Sequence, residues 1–340
     1  MRARGAALDP RNLLAVAAWI PGAMHKPTIS VVMAVHNGEP FLGETLSSVL
    51  QQTYDDFELL VIDDASTDDT ANILAVAAQD PRVHRLRNAK NLGLTRSLNC
   101  GLQAARGRWI ARLDVGDVAL PERLERQLAY VEAHPEYVLV GTAAAAMDGA
   151  GRPLPTIHVC STESAVRARL PKGNMLIHSS ILFRNREDIR YREKFVYAQD
   201  YDLYLRLLSA GQRLTNMPTP LVRYRVLSTS ISSTKLTEQY AFAEQARQFY
   251  RQRQSLGHDL YDEFLPATCL DPVPRNDAQG LMRERIHAAL RAADFGTARR
   301  EMRQLFRRHG LWNLLSLRYL YSYAQQLQWE WQRRRSGGRG

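Results

Sequence analysis

Four short apolar runs separated by amphipathic stretches constrain this chain more than any other feature. Residues 28–34 (TISVVMA) and 57–62 (FELLVI) are nearly continuous in apolar character, without the alternation of a half-exposed strand. A run of that kind suits a strand buried on both faces, in a sheet covered by helices. Between the two, residues 41–50 put Leu42, Leu46, Val49 and Leu50 on one helical face. Ser66-x-x-Asp69 reads as a capping box opening a helix with Ile73, Leu74 and Ala77 inward. Residues 82–86 and 109–113 read as a third and a fourth strand, with a helix over 94–105 between them. This alternation predicts an α/β fold, a doubly wound, mostly parallel sheet flanked by helices.

Further along, Pro121 suits the first turn of a helix carrying Leu124, Leu128 and Val131 inward. Strands are expected at 137–142, 179–184 and 221–226, and a helix over 201–209 ending at Gly211; residues 153–172, without a strong period, read as loop and short helix. From residue 235 the pattern changes to long helices, 235–253, 281–292, 297–308 and 311–333, rich in Gln, Arg and aromatics. The expected organisation is an N-terminal extension (1–26), an α/β domain (27–226) and a basic helical extension (227–340). Residues 13–20, after Arg2, Arg4 and Arg11, imitate the charged and apolar parts of a secretory signal. Pro21-Gly22 ends that run without a small-x-small site, so it reads as a short helix or an over-extended start. Cys100, Cys160 and Cys269 have no paired spacing, which argues against a disulfide framework or a zinc site and suits reduced cytosolic thiols.

Of the net charge of +10, residues 281–340 carry thirteen Arg, no Lys and four acids, so nearly all of the excess lies in the tail. Such a patch calls for an anionic partner, and phospholipid is as sensible as nucleic acid. Trp312, Tyr319, Tyr321, Tyr323, Trp329 and Trp331 followed by Arg333-Arg334-Arg335 suit a helix in a membrane interface. The same pattern suits a helix packed on the rest of the chain or on a second subunit. Nucleic acid is the weaker reading, because no recognition motif accompanies the charge. No stretch reaches the roughly eighteen apolar residues needed to span a bilayer.

The chemistry points to Arg112-Leu113-Asp114-Val115-Gly116-Asp117, two acids at the end of the fourth strand. Ligands of open α/β sheets settle beyond the carboxyl ends of the strands. Hard cations prefer oxygen ligands shared with a substrate phosphate, so two carboxylates suffice. The bland alternative is an acidic loop leading into the helix at Pro121.

The ordered segments Ser30-Val31-Val32-Met33-Ala34-Val35-His36-Asn37, Gln51-Gln52-Thr53-Tyr54, residues 57–68 ending Asp63-Asp64-Ala65-Ser66-Thr67-Asp68, Asn91-Leu92-Gly93-Leu94, Asn99-Cys100-Gly101, Leu120-Pro121-Glu122-Arg123-Leu124 and Gln199-Asp200-Tyr201-Asp202 together resemble the family 2 glycosyltransferases of the GT-A fold. That resemblance implies inverting transfer of a sugar from a nucleotide-diphosphate donor to a saccharide or lipid-linked acceptor, in cell-surface polysaccharide, lipopolysaccharide or glycolipid assembly. By it, Asp64, and less strongly Asp63, would bind the donor's base, with Ala34, Val35 and Asn37 lining the pocket. Asp117, with Asp114, would hold a divalent cation (Mg²⁺ or Mn²⁺), and Asp114 would also contact the donor. Asp200 would be the catalytic base, with Asp202 structural or touching the acceptor. His178 and Arg96 would lie near the donor phosphates. The implied setting is cytoplasmic, peripheral on the inner face of the membrane. Two positions depart from the family pattern: Gly116 replaces an acid of Asp-x-Asp-Asp, and Gln199 replaces the acid before Asp200. They motivate a rival reading, a non-catalytic relative that binds nucleotide as a partner or scaffold. A sugar-phosphate nucleotidyltransferase is the more distant rival, since Val35-His36-Asn37-Gly38 is not a Gly-rich phosphate loop.

Overall fold

The computed structural model describes residues 26–227 and 234–269, with isolated helical positions between 282 and 304. In chain order the elements are β1 (Ile29–Val35), α1 (Glu39–Leu50), β2 (Phe57–Asp63), α2 (Thr70–Ala77), β3 (Val83–Arg87), α3 (Leu94–Ala104), β4 (Trp109–Arg112), β5 (Val118–Ala119), α4 (Arg123–Ala133), β6 (Tyr137–Met147), α5 (Glu163–Arg169), β7 (Leu182–Arg184), α6 (Gln199–Ser209), β8 (Arg213–Arg225) and α7 (Leu236–Leu256). The eight strands form one mixed sheet in the order β3-β2-β1-β4-β7-β6-β8-β5. It is parallel across β3-β2-β1-β4 and antiparallel where β7 joins β4 and β6, and where β5 joins β8.

The parallel half is the α/β core expected from the apolar runs. Every residue of β2 is buried, and β1 is buried except at Ala34. One core cluster joins Ile29, Val31 and Met33 of β1 to Leu42, Leu46 and Val49 of α1 and to Leu124, Leu128 and Val131 of α4. Parallel register sets Val35 beside Asp63 and Val32 beside Arg112, so the turns after β1, β2 and β4 emerge at one edge of the sheet.

Local differences from the sequence reading have local causes. Ser66 does not cap α2; its hydroxyl accepts from Asn37 N at 3.0 Å, and Asp69 takes the cap position, its carboxylate accepting from the Asn72 side chain (2.6 Å) and not from a helix N–H. Residues 178–180 form a 3-10 turn before β7, where a strand was expected, because the Ser180 hydroxyl bonds to Ile177 O (2.8 Å) and competes with the ladder. α6 begins at Gln199 behind Ala198 in the left-handed region (φ 52°), so Asp200 lies inside the first turn and does not cap it.

The chain forms two compact units. The first holds described residues up to 144, with 158–224 and 243–266. In it Phe249 of α7 meets Phe195, Tyr261 and Phe264 at ring-centroid distances of 5.6–6.3 Å. Asp259 joins Arg192 (2.8 Å) to Arg253, and Arg192 also faces the buried Asp202 (3.8 Å). The second unit takes 145–157, 225–242 and the chain from 267. There the turn after β6 is closed by Arg152 on Asp148 (2.7 Å) and by Arg225 on the Gly149 carbonyl (3.1 Å). The N-terminal extension before residue 26 and the aromatic tail at 311–333 lie outside the described residues.

Candidate active site

The turns after β1 and β2 are built on unusual backbone. Asn37 (φ 54°) and Ala65 (φ 57°) both occupy the left-handed region, and such strain in non-glycine residues concentrates at functional sites. Reciprocal bonds hold the pair of turns together: Asn37 Oδ1 accepts from Thr67 N (2.8 Å), and the His36 ring bonds to Asp64 O (2.9 Å). Gly38 is required because a Cβ there would collide with the Val35 side chain. Ala34, Val35 and Asn37 thus line the same strand-end edge as Asp63 and Asp64.

The two acids after β2 do different work. Asp63 closes the turn at Ser66 N (2.8 Å) and pairs with Arg87 (3.0 Å). Asp68 accepts from Glu39 N and Thr70 N (3.0 and 3.1 Å). Asp64 Oδ1 accepts from Asn88 (2.7 Å) and Leu92 N (2.8 Å), and Oδ2 from Gly93 N (2.8 Å). A carboxylate has about four acceptor directions, so one remains on Oδ2.

At the end of β4, Asp114 is held from beneath by the fully buried Arg112, whose guanidinium also donates to Val32 O (2.5 Å) and Leu113 O (2.9 Å). Ser179 donates to Asp114 Oδ2 (3.1 Å). The Asp114 side chain keeps 37% of its surface exposed; desolvation of its inner edge is outweighed by Arg112, then His178, and the carboxyl is held below the usual range. Gly116 sits at φ 101° and donates its N–H to Thr45 Oγ1 (3.0 Å). Thr45 in turn donates to Asp117 O (2.9 Å), leaving Asp117 buried beside the same strand end. Behind both acids lies a second buried guanidinium, Arg123, which donates to Arg112 O (2.6 Å). Burial and the like charge of Arg112 push Arg123 down, while Asp117 and Asp114 oppose that shift. The sequence reading missed this pair of cations, although an Arg on the apolar face of α4, beside Leu124, was a signal for it.

His178 joins Arg112 and Tyr191 in this corner. Its Nε2 accepts from the Tyr191 hydroxyl (2.7 Å) and from Arg112 Nε (3.3 Å), which leaves the proton on Nδ1, 3.9 Å from Asp114 Oδ2. Burial, and then Arg112, lower its pKa to about 4, so the ring is neutral at physiological pH; Asp114 and Asp200 both pull the other way. Asp200 in turn accepts from Asn174 Nδ2 at 2.9 Å. Asp202 is buried under Arg206 (3.1 Å), a structural place. Arg96 is turned to Glu193 on the surface (3.1 Å) and makes no bond to the site's carboxylates. Among the described residues no three His, Cys, Asp or Glu side chains form a metal cage.

The family model for glycosyl transferase family 2 matches residues 30–197. EpsE of Bacillus subtilis is 34% identical over 222 residues, spanning 62% of this chain and 77% of EpsE. The chain belongs to glycosyl transferase family 2. A second relative, the amylovoran biosynthesis glycosyltransferase AmsE of Erwinia amylovora, is 31% identical over 61% of this chain and 79% of its own length. The mannosyltransferase PcManGT of Pyrobaculum calidifontis, solved with GDP-Man and Mn²⁺, superposes with a TM-score of 0.52 at 15% identity, over 89% of this chain and 85% of that one. That likeness establishes the GT-A fold for this family 2 chain.

Proposed function

We propose that this family 2 protein is an inverting transferase. It moves a sugar from a nucleoside-diphosphate donor to a hydroxyl of a saccharide or lipid-linked acceptor, in the assembly of cell-surface polysaccharide, lipopolysaccharide or glycolipid. AmsE's role in amylovoran biosynthesis and the GDP-Man bound by PcManGT support the reading. The observation that carries it is the short segment 174–179, which bonds to Asp114 through Ser179 (3.1 Å) and to Asp200 through Asn174 (2.9 Å). That shared segment supports reading Asp114 as the donor-side acid and Asp200 as the acceptor-side base of one site.

In this mechanism the open lone pair of Asp64 accepts a ring N–H of the donor base, and backbone at Ala34, Val35 and Asn37 lines the pocket. Asp114 and Asp117 offer an oxygen-only pair that would hold a hard divalent cation beside the donor phosphates. When bound, Mg²⁺ or Mn²⁺ neutralises charge on the departing diphosphate. Asp200 takes the acceptor hydroxyl's proton as the new bond forms on the face opposite the leaving group. Neutral His178 keeps the corner free of added charge while its Nδ1–H faces Asp114. Among the described residues no helix is long and apolar enough to cross a membrane; a peripheral position on the inner membrane face, held by the basic aromatic tail, remains part of the proposal.

The test is release of nucleoside diphosphate from GDP-mannose, UDP-glucose and UDP-GlcNAc with Mn²⁺, with the anomeric configuration of the product read by NMR. One donor turned over with inversion, and at least a hundredfold loss in Asp200→Asn, is the expected result. Nucleotide binding without turnover of any donor would support the rival, a non-catalytic relative.

A further inference from the structure

Residues 174–179 touch both sides of the site. At one end Asn174 bonds to Asp200; at the other His178 faces Asp114, and Ser179 both donates to the Asp114 carboxylate and accepts from its backbone N–H (2.9 Å). The Asn174 amide is oriented by its own neighbour. Leu176 N donates to Asn174 Oδ1 (3.0 Å), so the group facing Asp200 Oδ2 is the NH₂. Leu176 is buried and anchors the stretch, and the 3-10 turn that follows is fixed by Ser180 N on Ile177 O (2.8 Å). Oδ2 of Asp200 is thereby clamped, while Oδ1 has no hydrogen-bond partner among the described residues.

We propose that Asn174 is a positioning residue: it pins one oxygen of Asp200 so that the other faces the acceptor hydroxyl, and the strap 174–179 sets the base relative to Asp114. The proposal rests on the reading of Asp200 as the general base. A charge-assisted hydrogen bond of this kind is worth about tenfold in rate when its loss lets the carboxylate wander. Asn174 is absent from the residues the sequence singled out, since a lone Asn in an aperiodic loop carries no signal.

The experiment is a double-mutant cycle on the full chain, using the donor turned over above and water as acceptor. Asn174→Ala should lower kcat about tenfold with the donor KM unchanged, and should cost nothing further in an Asp200→Asn background. Asn174→Ser, which keeps a short donor, should recover part of the rate and replaces Ala if that variant does not fold. An equal fall in both backgrounds would mark a purely structural role and overturn the proposal. A wild-type rate in Asn174→Ala with Asp200→Asn inactive would overturn the positioning role alone. Full turnover in Asp200→Asn, or none by the wild type with any of the three donors, would remove the base and the proposal together.

Discussion

His178 shows how one side chain is defined by what surrounds it. Its Nε2 is occupied by Tyr191 and Arg112, so protonation would place a cation against Arg112 in a buried corner. The folded-state pKa of about 4 lies below the ordinary value of 6.5. Between those two pH values the unfolded chain binds a proton that the native ring refuses, and stability therefore rises with pH across that window and is unaffected above it. Acidification from pH 6.5 to 4 should cost the wild type roughly 3 kcal/mol through this residue. His178→Gln, which keeps an acceptor for Tyr191 but cannot titrate, should flatten that limb in urea denaturation across pH. The motif Ile177-His178-Ser179-Ser180 made the residue visible in sequence. Its partners Tyr191 and Arg112 were not visible as partners, because they arrive from other elements.

Among elements, the turn after β4 carries the departure from the family's acidic motif. Gly116 adopts φ 101°, a conformation that L side chains rarely adopt, and its N–H is fixed on Thr45. The glycine is therefore a backbone requirement of this turn as well as a missing carboxylate. Gly116→Asp should lower the urea midpoint, with a destabilisation of about 2 kcal/mol from forcing a side chain into that region. β1, β2 and β4 were legible because strands buried on both faces leave continuous apolar runs. β8 was read only from residue 221: Pro218 and Pro220 look like strand breakers, yet the strand runs from Arg213. β5 was missed because two residues carry no period, and it is defined by pairing Val118 and Ala119 with Arg223 and Val222 of β8. The start of α6 was misread since Ala198 gives no cue to a left-handed turn.

Across the whole molecule, the compact unit that holds the family match extends past its end at residue 197 to include residues 243–266. Phe249 and Phe264 are buried there, and Asp259 ties Arg192 and Arg253 into one ionic cluster facing Asp202 of α6. A chain cut after residue 227 should leave Phe195 and Arg192 uncovered and aggregate, whereas one ending after 269 should keep a cooperative melt; size-exclusion chromatography and calorimetry distinguish them. The domain edge expected at 226 rests on the change of composition there. The central claim, that Asp114 and Asp117 form a donor site for a nucleotide and a divalent cation, is tested most directly by binding. UDP and GDP, each with and without Mn²⁺, should be titrated against the wild type and Asp117→Ala, with Tm as readout. A ligand that binds the native state selectively raises Tm by mass action. A rise for one nucleotide that needs Mn²⁺ and is lost in Asp117→Ala is the predicted result; no rise for either nucleotide, or the same rise in Asp117→Ala, would contradict it.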